Sequence, residues 1–344
     1  MFKYIYMYIA LPVIVVLSLM QYNHNGFFSN FIYDGGPPVR IVEDLEGTAL
    51  IYGPSKSGKY RVNIGAEPST SYSTIFKNQS IWPIDGALTL LERDPKRILV
   101  IGIGNAHQII SLKILYPNAE IVIVELLSSL IQDMKQYGSK ELQNLLSTSQ
   151  VHITDGRRYV QKNINSLEKF DFIQVGVYRT TTAGAGNLFT REFLSNLKKI
   201  LSVDGVISFN AYMPAVKAAL REFNNIVIMA RSEHSVSDVI MSNKKSKTHD
   251  FVDKYIHTRK NIFDKINKEG MSQLFSKNIP LASFFIIGNE EISLILEEIE
   301  MQTDDKIPTE YFFTNRTKYF KNGEDSRNWP LVKSAYLTEL IKNN

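Results

Sequence analysis

From Arg97 onward the apolar positions fall into short uninterrupted runs separated by stretches of helical spacing: RILVIGIG, AHQIISLKILYP, AEIVIVEL, LSSLIQDMKQYG, QVHITDG, RRYVQKNI, FDFIQV, LFTREFLSNLKKIL and DGVISFNAY. Unbroken apolar runs bounded by turn residues read as strands buried on both faces, and the segments between them as helices. Strand, helix, strand, helix predicts an α/β fold with a parallel sheet covered on both sides. Upstream, TALIY (48–52) and YRVNI (60–64) predict two short strands. Downstream, FVDKYIHTRKNIFDKI, SQLFSK and EEISLILEEIE carry helical spacing, and Phe284 to Ile287 read as core.

The N-terminus breaks this pattern. Tyr4 to Met20 is an uncharged run preceded by Lys3 and followed by Tyr22. A helix of about 17 residues is just long enough to span a bilayer, and the tyrosine suits the interface. The competing reading is a cleaved secretory signal, against which Ser18 and Met20 form a poor small-x-small cleavage site. An uncleaved, single-pass membrane anchor is therefore the expectation. Lys3 alone, through the positive-inside bias, would put the body of the protein outside the cytoplasm, which leaves the side it faces undetermined.

Composition narrows the function classes. The chain has 344 residues, 44% hydrophobic and 22% charged, enough for one large domain or two modest ones. Its formal charge of +4 is spread over 39 basic and 35 acidic residues without a long basic block, so nucleic-acid binding is not expected. The absence of cysteine removes disulfides, thiolate metal sites and cysteine nucleophiles, and six scattered histidines have no ligand spacing, so no metal is expected.

Two glycine-rich stretches carry candidate chemistry. GPSKSGKY (53–60) nearly matches a phosphate-binding loop. It places Tyr60 where a short hydroxyl must reach magnesium, and it is followed by a strand rather than a helix, so a hairpin turn is predicted. The second stretch, Gly102-Ile103-Gly104-Asn105-Ala106, ends the first strand of the sheet just before a helix N-terminus, where backbone can approach a ligand closely. Glu125 closes the next strand 21 residues after Gly104. There it would accept hydrogen bonds from ribose hydroxyls, or else be a solvated strand end. Asp155-Gly156 closes the third strand, where the acid would meet an adenine amino group or simply cap the following helix.

The stretch from Asp94 to Asn210 resembles the spermidine synthase (polyamine aminopropyltransferase) family, in particular its membrane-associated bacterial branch. The matching phrases are DPKRILVIGIG, the acid Glu125, ITDGRRYV, AGAGNLFTREF (183–193) and LKKILSVDGVISF; GTALIY, YRVNI and MQTDDKIPTEYF (301–312) extend it more weakly. The resemblance implies a Rossmann-like S-adenosylmethionine-dependent methyltransferase fold. It would carry a small N-terminal β-element, a C-terminal helical extension and an N-terminal transmembrane helix. It divides the chain into an anchor (1–22), a linker (23–44), a β-element with a helix (45–92), a Rossmann-like domain (93–243) and a helical extension (244–344). It implies S-adenosylmethionine or its decarboxylated form as group donor, lined by Gly102, Gly104, Asn105, Glu125, Asp155 and Gly156. A polyamine acceptor and a homodimer are further expectations, with no metal.

The departures lie on the acceptor side. The family's fourth strand ends in an acidic loop, but counting back from NLF the matching position is Gly176, and between Asp171 and Glu192 there is no carboxylate. The upstream polyamine-holding segment falls on Ile81, Trp82 and Pro83, and Asn105-Ala106-His107 replaces the usual Asp-Gly-Gly. An amine with a pKa of about 10 must lose a proton before it attacks, and a site carboxylate both attracts it and orients that proton. Arg179 would repel a cation if it faced the pocket; otherwise it points to solvent or pairs with Glu192. Asp85, Asp304 and Asp305 are the candidate substitutes, although adjacent acids also serve in turns and caps. Two function classes therefore stand: a membrane-anchored aminopropyl- or alkyltransferase, and a non-catalytic descendant that binds a nucleoside or a protein partner.

Overall fold

The computed structural model describes residues 38–45, 47–64, 67–77, 81, 84–104, 106–177, 184–210, 213–231, 237–244, 248–275, 284–296 and 301–307. The anchor predicted in residues 1–22, most of the linker, Asn105, Trp82, Pro83 and Arg179 lie outside them. Among the described residues no helix is long and apolar enough to cross a membrane.

Two sheets form. Strands β1 (Arg40–Asp44), β2 (Gly47–Tyr52), β3 (Lys59–Ile64) and β4 (Glu67–Ser73) make an antiparallel four-stranded sheet in sequential order. GPSKSGKY is the β2–β3 turn, closed by Ser55 N–H donating to the Lys59 carbonyl at 2.9 Å. β1 falls in the stretch expected to be linker, and its Arg40 docks the small sheet. The guanidinium lies 4.5 and 3.8 Å from the ring centroids of Tyr60 and Tyr137 and donates to Asp133 at 2.6 Å. Asp133 and Tyr137 belong to helix α3 (Ser128–Tyr137) of the main domain.

The main sheet has eight strands in the order β12-β10-β11-β9-β8-β5-β6-β7. β5 (Arg97–Ile101), β6 (Glu120–Glu125), β7 (Gln150–Ile153), β8 (Phe170–Val175) and β9 (Leu201–Asn210) are parallel. β11 (Ser237–Ser242) runs antiparallel to β9 and to β10 (Asn225–Arg231), which in turn pairs β12 (Phe284–Ile287). Chain order runs outward from β5 through β6 to β7, then restarts beside β5 with β8. The β5–β8 boundary is thus a topological switch point, where open α/β sheets place a ligand crevice outside the carboxyl ends of the strands.

Alternate strand residues feed two cores. Ile98, Val100, Ile121, Ile123 and Phe172 pack on one face, and Leu99, Ile101, Val122, Val124 and Ile173 on the other. The first face carries α1 (Ile84–Leu91), α2 (His107–Leu115), α3, α4 (Lys140–Thr148) and α8 (Thr248–Lys268); the second carries α5 (Gly156–Asn163), α6 (Arg191–Ile200) and α7 (Met213–Glu222). In α6, Phe193, Leu194, Leu197 and Ile200 form the buried stripe, and Thr190 caps the helix by accepting from the Phe193 N–H at 3.2 Å. The most family-like phrase, NLFTREF, is therefore a 3-10 turn (Ala185–Phe189), a cap and the first turn of a helix.

The C-terminal stretch differs from the helical extension expected over 244–344. FFII is an edge strand, residues 272–274 at the start of SQLFSK form a turn rather than a helix, and α9 (Asn289–Ile295) follows. Four apolar residues without polar neighbours cannot distinguish strand from helix by periodicity; here the unpaired edge of β10 decides.

Candidate functional site

At the switch point three strand ends are stitched together. Gly102 N–H donates to the Val124 carbonyl and Gly176 N–H to the Ile101 carbonyl, both at 2.8 Å. Gly102 and Gly104 have φ of +77° and +56°, a region that side chains resist. The approach is close as well as left-handed. A Cβ on Gly102 would lie 3.1 Å from Val177 Cγ2, one on Gly104 3.2 Å from the Gly176 carbonyl oxygen, and one on Gly176 would run into the Gly102 carbonyl oxygen. The α2 N-terminus opens directly after this turn, so its free N–H groups face the same edge.

Glu125, at the end of β6, is buried and holds the turn in place. Its Oε2 accepts from Ile103 N–H at 3.0 Å, and its Oε1 accepts from Leu126 and Leu127 N–H at 2.8 and 3.1 Å. Burial pushes its pKa up; the three backbone donors oppose this and Asp44 adds to it. Asp44, from β1, accepts from Ser129 N–H at 3.2 Å near the start of α3, so the small sheet contributes charge to this corner. Oε2 has one protein donor and retains acceptor capacity for a hydroxyl.

Asp155 and Gly156 sit at the next strand end. Asp155 caps α5, its Oδ1 accepting from Arg158 N–H at 2.9 Å, and its exposed Oδ2 has no partner among the described residues. A Cβ on Gly156 would collide with Ile101 and approach Leu188 to 3.2 Å, so this glycine brings α5 against the switch point. The arrangement thus assembles Gly102, Gly104, Glu125, Asp155 and Gly156 along one edge. It fits a nucleoside: side-chain-free backbone, a buried carboxylate at the second strand and an exposed one at the third.

The proposed substitute acids are held elsewhere. Asp304 is bound through both oxygens to Arg157, at 2.7 and 2.6 Å, and also accepts from Thr190 Oγ1 at 2.7 Å. The hydrogen bond from Arg157 holds its carboxyl below the usual range, so it is a poor base. Asp305 is exposed. Asp85 is fully buried in α1, where it accepts from Tyr255 Oη at 2.9 Å and Arg259 Nη1 at 2.8 Å. Burial nevertheless raises its pKa to about 6, over the opposing pull of Arg259.

Residues 301–307 act as a strap that the sequence did not reveal. Gln302, fully buried, donates from Nε2 to the Gly186 carbonyl at 2.6 Å, and its carbonyl accepts from Arg191 N–H at 3.0 Å. Gln302→Ala should cost about 1 kcal/mol by removing the buried hydrogen bond to the Gly186 carbonyl, measurable by urea unfolding of the full chain. Arg157→Ala, at a partly exposed pair, should change global stability by only about 1 kcal/mol or less. Limited proteolysis within 184–190 should nevertheless accelerate several-fold. Unchanged cleavage would mean the strap does not hold that turn.

Asp238 was also missed. It opens β11, is only 5% exposed, and burial, with Asp85 second, raises its pKa to about 8. A lone acid after Ser237 reads as a turn residue, and only the long-range pairing of β11 with β9 puts it at the sheet's carboxyl edge. Among the described residues no cluster of three metal-ligating side chains is present.

Comparison with known proteins agrees with this geometry. Residues 85–237 match the family model of the spermine/spermidine synthase domain. A polyamine aminopropyltransferase of Vibrio vulnificus (strain CMCP6) is 31% identical over 123 residues, 36% of this chain and 40% of that protein. The match therefore spans well under two thirds of that relative. Among solved structures, a spermidine synthase in complex with the transition state analogue AdoDATO aligns at 19% identity with a TM-score of 0.47, covering 62% of this chain and 76% of that one. The spermidine synthase of Thermotoga maritima aligns at 18% identity with a TM-score of 0.47, covering 62% and 75%. The match to the spermine/spermidine synthase domain thus covers residues 85–237, the stretch that holds the switch-point turn and the parallel strands.

Proposed function

We propose that this protein binds an S-adenosyl compound at the β5–β8 switch point and transfers an aminopropyl or other alkyl group from it to an amine acceptor. The observation that carries this reading is the glycine edge: Gly102, Gly104 and Gly176 pack backbone against backbone at the switch point and leave a strand end without side chains beside the buried carboxylate of Glu125. Glu125 would hold the ribose, Asp155 the adenine amino group, and Gly102 and Gly104 would let the backbone reach the donor. S-adenosylmethionine or its decarboxylated form supplies a sulfonium whose adjacent carbon is already electrophilic, so the chain's own task is to position a neutral amine against it. The membrane anchor in residues 1–22 is part of this proposal, as is a homodimer.

Gly176 favours a second reading, a nucleoside-binding protein without turnover, because the acid that orients the acceptor's proton is absent there. Calorimetry on the full chain in detergent separates the two. S-adenosylmethionine, its decarboxylated form or methylthioadenosine should bind, and the decarboxylated form should be consumed in the presence of putrescine or spermidine. Binding without turnover would leave the second reading; no binding by any of the three nucleosides would sink the transferase.

A further inference from the structure

Among the described residues Asp238 is a buried acid without a hydrogen-bond or ion-pair partner. Its carboxyl accepts no hydrogen bond and meets no cation among the described residues; its charged neighbour is another acid, Asp85. Leaving a buried carboxyl unmatched is costly, and groups so left in native structures call for an explanation.

Its position supplies one. In the main sheet Asp238 pairs with Asn210 of β9, while Ser208 and Phe209 pair with Gln174 and Val175 of β8. Gly176, one residue beyond Val175, therefore stands in the same row as Asn210 and Asp238, at the carboxyl edge. Side chains alternate along strands, so this row faces the side of Ile240, which packs against Gly86 of α1 next to Asp85. Two inter-strand spacings, about 10 Å, separate Asp238 from Gly176 along the row. The charged group facing Asp238 from α1 is Asp85, which is itself held by Tyr255 and Arg259 of α8. Arg259 is already taken by Asp85 and Tyr255, at 2.8 and 2.7 Å.

We propose that Asp238 binds a primary ammonium group of the acceptor, supplying from β11 the carboxylate that the end of β8 lacks. This rests on the transferase reading and names the residue that would select a cationic substrate. The chemistry is complementary, since an ammonium brings charge and three donors to an acid that has neither partner. The step is an exchange of partners. Free Asp238 holds its proton at pH 7, because its pKa stands near 8. Ion pairing with the ammonium stabilises the carboxylate, and the proton leaves to solvent.

Isothermal calorimetry at pH 7, with the full chain in detergent and two buffers of different ionisation enthalpy, reads that proton directly. The probes are 1,4-diaminobutane, spermidine and methylthioadenosine. A diamine should bind with release of close to one proton, and the release should vanish above pH 9, where Asp238 is already ionised. Asp238→Asn should bind diamine about 30-fold more weakly, as expected for losing one partner of a buried charge pair, and release no proton. Its affinity for methylthioadenosine should be unchanged. Diamine binding without proton release, or wild-type affinity in Asp238→Asn, would overturn the proposal; the wild-type proton count stands even if the variant misfolds. Methylthioadenosine binding with no diamine binding overturns the role of Asp238 and spares the nucleoside site. Diamine binding with no methylthioadenosine binding does the reverse.

Discussion

Asp85→Ala should destabilise the protein by about 3–5 kcal/mol, because it takes the Asp85 carboxylate away from the buried Arg259 guanidinium. The Arg259 side chain is 7% exposed and that of Asp85 is 0% exposed. With Asp85 gone, Tyr255 Oη, at 2.7 Å, remains beside the guanidinium but carries no compensating charge. The raised pKa of Asp85 indicates that desolvation outweighs pairing for its own carboxylate. The intact pair is therefore not a large net stabiliser, although half of it is a large liability. The double variant Asp85→Leu with Arg259→Met should recover most of the loss. Urea unfolding of the wild type, the single and the double variant checks this; a double variant as unstable as the single would mean that packing, not charge, accounts for the cost.

The pH dependence follows with the opposite sign to an ordinary surface acid. Burial raises the folded pKa values of Asp85 and Asp238 to about 6 and about 8, above the usual carboxylate range. Through these two acids stability falls as pH rises from about 4 to 8, since the folded state holds their protons longer; His107, whose pKa burial lowers to about 4, opposes the fall below about pH 6.5. Asp238→Asn should flatten the upper part of the fall, from about pH 6 to 8.

Gly176→Ala should cost about 2–4 kcal/mol and abolish nucleoside binding, and Gly176→Asp should do the same without restoring transfer. A new Cβ has the Gly102 carbonyl oxygen in its way, and that oxygen belongs to a left-handed turn fixed by the Gly102-to-Val124 bond. To admit a side chain, β5 and β8 must part at the switch point. The family acid cannot be put back by one substitution, since the backbone has closed over the place it would occupy. Thermal unfolding and methylthioadenosine titration check both effects; a stable, nucleoside-binding Gly176→Asp would refute the steric argument.

The parallel half of the fold was legible because β5, β6 and β8 are apolar on both faces and end in glycine or acid, a pattern set by local chemistry. Glu125 could be located from spacing, yet its three bonds to Ile103, Leu126 and Leu127 could not, because they depend on how two loops meet. The antiparallel edge was opaque for the same reason. FFII becomes a strand by pairing with β10, and Asp238 acquires its neighbours through register with residues 28 positions earlier. Asp304 shows the reverse error: an acid in a family-like phrase, placed in the sequence where it could serve chemistry, is consumed by Arg157.

The strap has a bearing on biosynthesis. Gln302 reaches Gly186 across 116 positions, and Asp304 reaches Arg157 across 147. A ribosome releases the five parallel strands, the glycine turn and Glu125 long before it releases these residues. The nascent chain can thus complete its nucleotide half while the 184–190 turn is still unpinned. Order at the 184–190 turn arrives only with the late segment, so translation itself imposes a delay between formation of the parallel strands and the pinning of that turn.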